Sequence, residues 1–299
     1  MNLSFKLYDE ITVIRYINDL KDIEKTILYP LKNGKDFFRI SHGSNYTPFF
    51  INQGFKSKYL IIKDGNTVIG GLVGVWKKVK RGKKEELNIL YIADLKLKKK
   101  YRGKKIIKKA LFYLLIRWPL KRNLQGWDFI YFCAMQKDNF GVEKTFKGFH
   151  IGRFSSKVTE FVIYMTEPRL LKKLPSCFFK TDKNKTINLS EKRNEHILWN
   201  KNIKEIVLDE TDERLSLGHI NPDIFEKGDE KRFEKSIKII EKKKNSLACF
   251  AIDTKQKDQI KILEQIGIKK ETVCKLFIFN PFLIKSLTSV SFYISTGEI

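Results

Sequence analysis

Along the first half of the chain, apolar positions fall in short runs broken by turn residues, and then one stretch switches to a helical period. Residues 58–79 hold two apolar runs, Tyr59-Leu60-Ile61-Ile62 and 67–76, on either side of Asp64-Gly65-Asn66. Asp-Gly between apolar runs is a strong hairpin signal and predicts two antiparallel strands. Residues 87–97 form a third run, rich in branched and aromatic side chains, closing on the alternation Asp94-Leu95-Lys96-Leu97; they predict a further strand. From about Lys105 the period changes. Ile106, Ile107, Ala110, Leu111, Leu114 and Leu115 recur at helical spacing with lysines between them, which predicts a helix.

The rest of the chain is read in the same way. A short apolar strand is expected at 11–16 and a helix at 19–31, ended near Pro30. Residues 37–55 are irregular, with six aromatic residues around Ser41-His42-Gly43-Ser44. A continuous apolar run predicts a buried strand at 127–135. It is followed by a helix at 139–147, Gly148-Phe149 and an alternating strand at 157–164. Beyond 167 the pattern is less legible. Residues 168–186 read as a linker, 231–244 as an amphipathic helix, 246–253 as an apolar run, 256–265 as a helix and 273–279 as a strand. That order echoes 129–164, either as a degenerate second copy of one half-fold or as a chance likeness of two β-α-β units. The expected division is 1–167 and 168–299, an α/β (α+β) chain whose second, smaller α/β domain follows the first.

Composition narrows the partners. With 23 Phe and 11 Tyr among 299 residues, the chain can bury a sizeable core, so disorder is not expected. Net charge is +25, and residues 76–109 carry 15 basic against 3 acidic side chains. Such a concentration suits a polyanion: a nucleotide cofactor, RNA, DNA or an anionic membrane surface. Four cysteines without Cys-x-x-Cys spacing fit free thiols in a reducing compartment. Neither a signal peptide nor a long apolar span is evident, so a cytoplasmic location and no membrane are expected.

The familiar nucleotide, zinc-hydrolase and serine-hydrolase motifs are missing, and the four histidines are isolated along the chain. No metal is expected. What remains is the order strand, basic Gly-containing turn (Lys98-Lys99-Lys100-Tyr101-Arg102-Gly103-Lys104), helix. Free N–H groups and the positive end of a helix dipole favour an anion there.

This order resembles the acyl-CoA signature of the GNAT superfamily of N-acyltransferases, in which an Arg/Gln-x-x-Gly-x-Gly/Ala turn between strand four and helix three wraps the CoA pyrophosphate. Arg102-Gly103-Lys104-Lys105-Ile106-Ile107 keeps the leading Arg and a second-place Gly, but has Lys105 and Ile107 where the family usually has Gly and Gly or Ala. The hairpin at 58–79 and the unit strand, Asn-led helix, Gly-Phe, strand at 127–164 are similar to further parts of that fold. The resemblance covers about residues 10–166. It implies a mixed, mostly antiparallel central sheet flanked by helices.

The resemblance also implies a reaction in which an amine of unknown identity attacks the thioester of an acyl-CoA, acetyl-CoA in the simplest case. Backbone N–H groups of Leu95, Lys96 and Leu97 would hold the thioester oxygen. Arg102, Gly103, Lys104, Lys105, Ile106 and Ile107, with Asn139, would hold CoA, and Lys98, Lys99, Lys100 and Lys104 could reach its ribose phosphate. Asp94, Tyr91 and Glu86 are the candidate bases on the strand. Alternation puts Tyr91 and Asp94 on opposite faces unless a bulge intervenes. The residue that reprotonates the CoA thiolate in the family is a Tyr where this chain has Lys144. Two other readings stay open: a basic protein that binds nucleic acid on the same scaffold, which is not favoured, and a pseudoenzyme that binds CoA without turnover. Oligomeric state cannot be read from the sequence.

Overall fold

The computed structural model describes residues 1–30, 37–43, 46–81, 85–135, 155–179, 186–190, 197–199, 204–280, 287 and 290–299. The strands are β1 Leu3–Tyr8, β2 Tyr29–Pro30, β3 Phe37–Ser41, β4 Lys56–Asp64, β5 Thr67–Arg81, β6 Glu85–Leu97, β7 Phe129–Met135 and β8 Ser155–Thr166. They continue with β9 Thr186–Asn188, β10 Ile197–Trp199, β11 Glu205–Leu208, β12 Arg214–Ile220, β13 Ser246–Asp253, β14 Lys270–Phe279 and β15 Ser291–Tyr293. The α-helices are α1 Ile17–Glu24, α2 Tyr46–Ile51, α3 Ile106–Arg117, α4 Pro168–Leu171, α5 Glu230–Lys242 and α6 Lys257–Gln265.

The hairpin forms as its sequence predicts, β4 pairing with β5 around a Gly65 at φ +57°. β6, β7 and α3 also lie where periodicity places them. Residues 11–16 are instead a turn and a short 3-10 helix. The Thr12 N–H and hydroxyl both donate to Asp9 Oδ1, at 2.8 and 2.6 Å, and this local turn prevails over the apolar run. The first strand is β1, outside that run. The irregular 37–55 stretch contains β3 and α2, and the 168–186 stretch opens with α4. The expected helix at 139–147, with Asn139, Lys144 and Gly148-Phe149, lies outside the described residues.

The main sheet is mixed and mostly antiparallel, in the order β1-β4-β5-β6-β7-β14-β8-β13-β12-β11-β3-β2. β6 and β7 are parallel and joined through α3; β12 and β13 are parallel and joined through α5. Beyond each pair an antiparallel strand is added, β14 on β7 and β8 on β13, and β14 and β8 then pair with each other. Strands from either side of residue 167 are therefore interleaved.

Alternate residues of each strand face opposite sides of the sheet. Tyr59, Ile61, Val73, Val75, Tyr91 and Ala93 share one core with α1, α2 and the 290–299 segment, and that core continues through Phe161, Ile163 and Ala251. Leu60, Ile62 and Leu72 face α3 on the other side, while Val162, Tyr164 and Phe250 pack under α5. Among the described residues no helix is long and apolar enough to cross a membrane. All four cysteines are free.

Candidate functional site

The site begins at a bulge. Val73 pairs with Ala93 but Gly71 pairs with Lys96, so β6 holds one residue more than β5 across this interval. Asp94 takes up the extra length at φ +52°, a left-handed conformation that aspartate tolerates better than most residues. Gly70 sits opposite Leu97, and a Cβ there would run into the Lys96 carbonyl oxygen and the Leu97 side chain; only glycine lets the strands approach this closely. With the bulge, Asp94 and Lys96 reach groups on α1 and α2 on the Tyr91 side of the sheet.

β6 and β7 part at the same level. Their parallel ladder runs from Ile89–Phe129 to Tyr91–Tyr131 and ends there. Beyond it β6 stays with β5 and β7 stays with β14. A cavity of about 480 Å³ occupies this region, a size suited to a small-molecule ligand. One wall carries Glu24, Tyr29, His42, Asp94 and Lys204; the other is apolar, with Trp76, Leu90, Ile92, Leu114 and Trp118 among its residues.

The polar wall is an ionic network. Lys96 Nζ lies 3.0 Å from Glu24 Oε2 and 2.9 Å from Asp94 Oδ2. Tyr46 OH donates to the same Asp94 oxygen. The Lys96 ammonium also lies 4.8 Å from the centre of the Tyr46 ring. Glu24 Oε2 accepts from His42 Nδ1 at 2.7 Å, and Oε1 from the His42 backbone N–H at 2.9 Å. Burial by itself raises the Glu24 carboxyl, but the His42 hydrogen bonds and the charges of His42 and Lys96 outweigh it and hold the group at about 2. Burial lowers the Lys204 ammonium to about 8, against the pull of the nearby Cys249, Cys274, Asp94 and Glu24. Burial first, then the Asp94 charge, pushes the Tyr46 phenol well above its ordinary value.

A depressed carboxyl makes stability depend on pH with a definite sign. Glu24 contributes fully above its unfolded value near 4.5, and the contribution is lost as pH falls from there toward 2. The stake is roughly 3 kcal/mol. Urea unfolding of wild type and Glu24→Gln should differ most at pH 7 and converge only as pH falls to about 2. Parallel curves over that range would show that Glu24 is not held ionised by this network.

Of the sequence-predicted bases, Asp94 and Tyr91 line the cavity and Glu86 does not. Asp94 Oδ2 is already engaged by Lys96 and Tyr46. Tyr91 donates to the Glu298 carbonyl at 2.9 Å and stacks on Tyr131 at 4.7 Å; burial raises its phenol well above the ordinary value. Glu86 stands near the start of β6, about half exposed, with its carboxylate 2.9 Å from Lys78.

Leu95 and Lys96 lie on the β6 edge that β7 has left, and Leu97 ends the strand. Arg102 Nε donates to the Leu97 carbonyl at 3.1 Å. Arg102, Gly103, Lys104 and Lys105 are exposed in the turn before α3, and among the described residues none has a carboxylate partner. Gly103 has φ +79°. Lys105 occupies the N-cap position at φ 57°, ψ 18°, and no side chain caps the helix. The backbone thus keeps a shape that glycine adopts freely, at a cost of about 1–2 kcal/mol for lysine. Ile106 and Ile107 pack into the core under α3, so the bulk of Ile107 is absorbed there. Asn139 lies outside the described residues.

Sequence reasoning missed Glu24, Tyr46 and Lys204 as site residues and set His42 aside as isolated. The only signal for them was the run of aromatic residues around His42. Glu24 lies 72 residues from Lys96, and nothing in the local pattern of α1 marks it.

Comparisons with known proteins give loose likenesses. No family model matches the chain, and no curated protein matches it. Among solved structures, a Pyrococcus horikoshii protein that carries an acetyltransferase name is 12% identical with a TM-score of 0.47, over 97% of this chain and 93% of its own. A GCN5-related N-acetyltransferase from Kribbella flavida is 8% identical with a TM-score of 0.44, over 93% of this chain and 71% of its own. A conserved Enterococcus faecalis protein of unknown function, suggested to be an N-acyltransferase, is 7% identical with a TM-score of 0.47, over 92% of this chain and 72% of its own. At these identities and scores none of them places the chain in a family.

Proposed function

We propose that the chain is an acyl-CoA-dependent N-acyltransferase, acting in the cytoplasm, that moves an acyl group, acetyl in the simplest case, onto an amine by direct attack. The observation that carries this reading is the parting of β6 from β7 at the Asp94 bulge. It opens the sheet beside a polar wall of acids and bases, and the same strand runs on into a cationic turn and an uncapped helix. The thioester would lie in the gap. Backbone N–H groups on the freed β6 edge, at Leu95 to Leu97, would face the carbonyl oxygen where negative charge develops. The pyrophosphate would rest on the turn, where Arg102 and Lys104 add charge to the N–H groups of Lys105, Ile106 and Ile107.

The polar wall is the acceptor side. Asp94 Oδ1 has no hydrogen-bond partner among the described residues, and it would hold the acceptor ammonium close to the thioester carbon. The 168–299 part would complete the sheet and wall off the cavity without a second site.

A thermal-shift titration with acetyl-CoA tests this reading. Saturable protection is expected, with a gain of about 2.7 kcal/mol at a hundredfold excess over Kd, and it should be lost in the Arg102→Ala, Lys104→Ala double variant. A folded wild type that gains nothing from millimolar acetyl-CoA would sink the acyltransferase reading. Salt-sensitive binding to nucleic acid would then be the next measurement.

A further inference from the structure

Glu24 grips His42 more fully than an ion pair requires. One carboxylate oxygen takes the backbone N–H and the other takes ring Nδ1, so a single side chain fixes both the chain and the ring of His42. An ionised carboxylate only accepts, so Nδ1 carries a proton, and whenever the ring is neutral its lone pair is on Nε2. Nε2 has no hydrogen-bond partner among the described residues, and His42 lines the cavity. Phe49, Phe50 and Tyr46 surround the ring at centroid distances of 4.6, 5.4 and 5.5 Å, which fixes its plane. The residue itself is 5% exposed. A rigid imidazole tied to a carboxylate by one nitrogen, with the other unpartnered among the described residues and the residue lining a substrate-sized cavity, has the makings of a general base.

We propose that His42 is the catalytic base that takes the proton from the acceptor ammonium, with Glu24 as its positioning residue; the proposal rests on the acyltransferase reading above. Nε2 removes one proton from R–NH3+, and the freed amine attacks the thioester carbonyl carbon. The C–N bond forms and the C–S bond breaks. The second amine proton goes to the departing CoA thiolate, and His42 releases its own proton to water. The balance is an amide, free CoA thiol and one proton.

Other groups sharing the cavity are less suited. Asp94 Oδ2 is engaged by Lys96 and Tyr46, and its Oδ1 is the group that would hold the acceptor ammonium in place rather than take its proton. The phenols of Tyr29 and Tyr46 are pushed up by burial and by the Asp94 charge, so they stay protonated at neutral pH. Lys96 is locked between two carboxylates. Lys204, brought to about 8 by burial, is a competitor for the proton.

The test follows thiol release from acetyl-CoA with a panel of primary amines: a polyamine, an amino sugar, amino-acid esters and short peptides. His42→Gln should lower kcat/KM by about a hundredfold or more and abolish the acidic limb of its pH profile, while acetyl-CoA protection stays as in wild type. Glu24→Gln should keep part of the activity and move that limb. Nitrogen NMR of histidine-labelled wild type should find neutral His42 with its proton on Nδ1, and Glu24→Gln should mix the two tautomers.

His42→Gln within about threefold of wild type, or a proton on Nε2, overturns the proposal. Loss of the limb in Lys204→Met but not in His42→Gln gives the role to Lys204 and also overturns it. A wild type protected by acetyl-CoA that releases no thiol with any amine overturns the acyltransferase reading, and the base falls with it. Turnover that persists without His42 overturns the base alone.

Discussion

Glu298→Ala should cost about 3–5 kcal/mol of stability, more than any surface substitution in this chain. Glu298 Oε2 lies 2.9 Å from Lys77 Nζ, and each side chain is 2% exposed. Ser190 Oγ donates to the same oxygen. The carboxylate therefore holds the 290–299 segment against β5 and also compensates a charge that water cannot reach. Truncating it leaves the Lys77 ammonium in the core, where the nearest aromatic face, Tyr91 at 5.9 Å, offers too little to replace an ion pair.

Urea unfolding should show a lower midpoint with an unchanged slope, because the native surface stays the same. A Lys77→Met, Glu298→Met pair should recover most of the loss, since desolvating two charges costs nearly what their attraction returns. A single variant that loses under about 1 kcal/mol would mean that water enters beside Lys77.

Lys96→Met should be of similar size, about 3–5 kcal/mol at neutral pH, and should reverse the response of the fold to acid. Lys96 is the cation between Glu24 and Asp94. Without it two carboxylates face one buried space, and like charge and burial both push a carboxyl up. A carboxyl raised above its unfolded value favours the folded state as pH falls through it, opposite in sign to Glu24 in wild type. Wild type should lose stability between about pH 4.5 and 2, while the variant recovers part of its deficit on the way down from neutral pH. Unfolding at pH 7.5, 5.5 and 4 separates the cases. A deficit that does not change with pH would show that Lys96 contributes packing and not charge.

Both predictions rest on contacts that local sequence does not encode. The hairpin, the 87–97 strand, the basic turn and the helix after it were legible because each is a pattern within about 15 residues: Asp-Gly between apolar runs, period two, then period 3.6. Lys105 looked like a departure from a glycine-rich turn. The structure shows it in the left-handed conformation a glycine would adopt, a backbone state that identity alone could not reveal. The chain at 11–16 misled because an Asp9–Thr12 turn competes with a short apolar run.

By itself, the sequence determined the 58–79 hairpin, the strands at 87–97 and 127–135, the helix after the basic turn with the positive charge placed before it, and an α/β chain with ample core. It did not determine β1, β2, β3 or α2, nor that α1 ends at Glu24. Only the tertiary structure decided that β14 would lie between β7 and β8, that β6 would bulge at Asp94, and that Glu24, His42, Tyr46, Lys96 and Lys204 would meet at one cavity. Periodicity fixes which face of a strand is buried, but not which distant edge completes it, because any strand edge offers the same backbone groups. A bulge is one residue of slack that appears only against the partner strand. An ion pair across 72 residues leaves no local trace, since its energy exists only once water has been excluded from both charges.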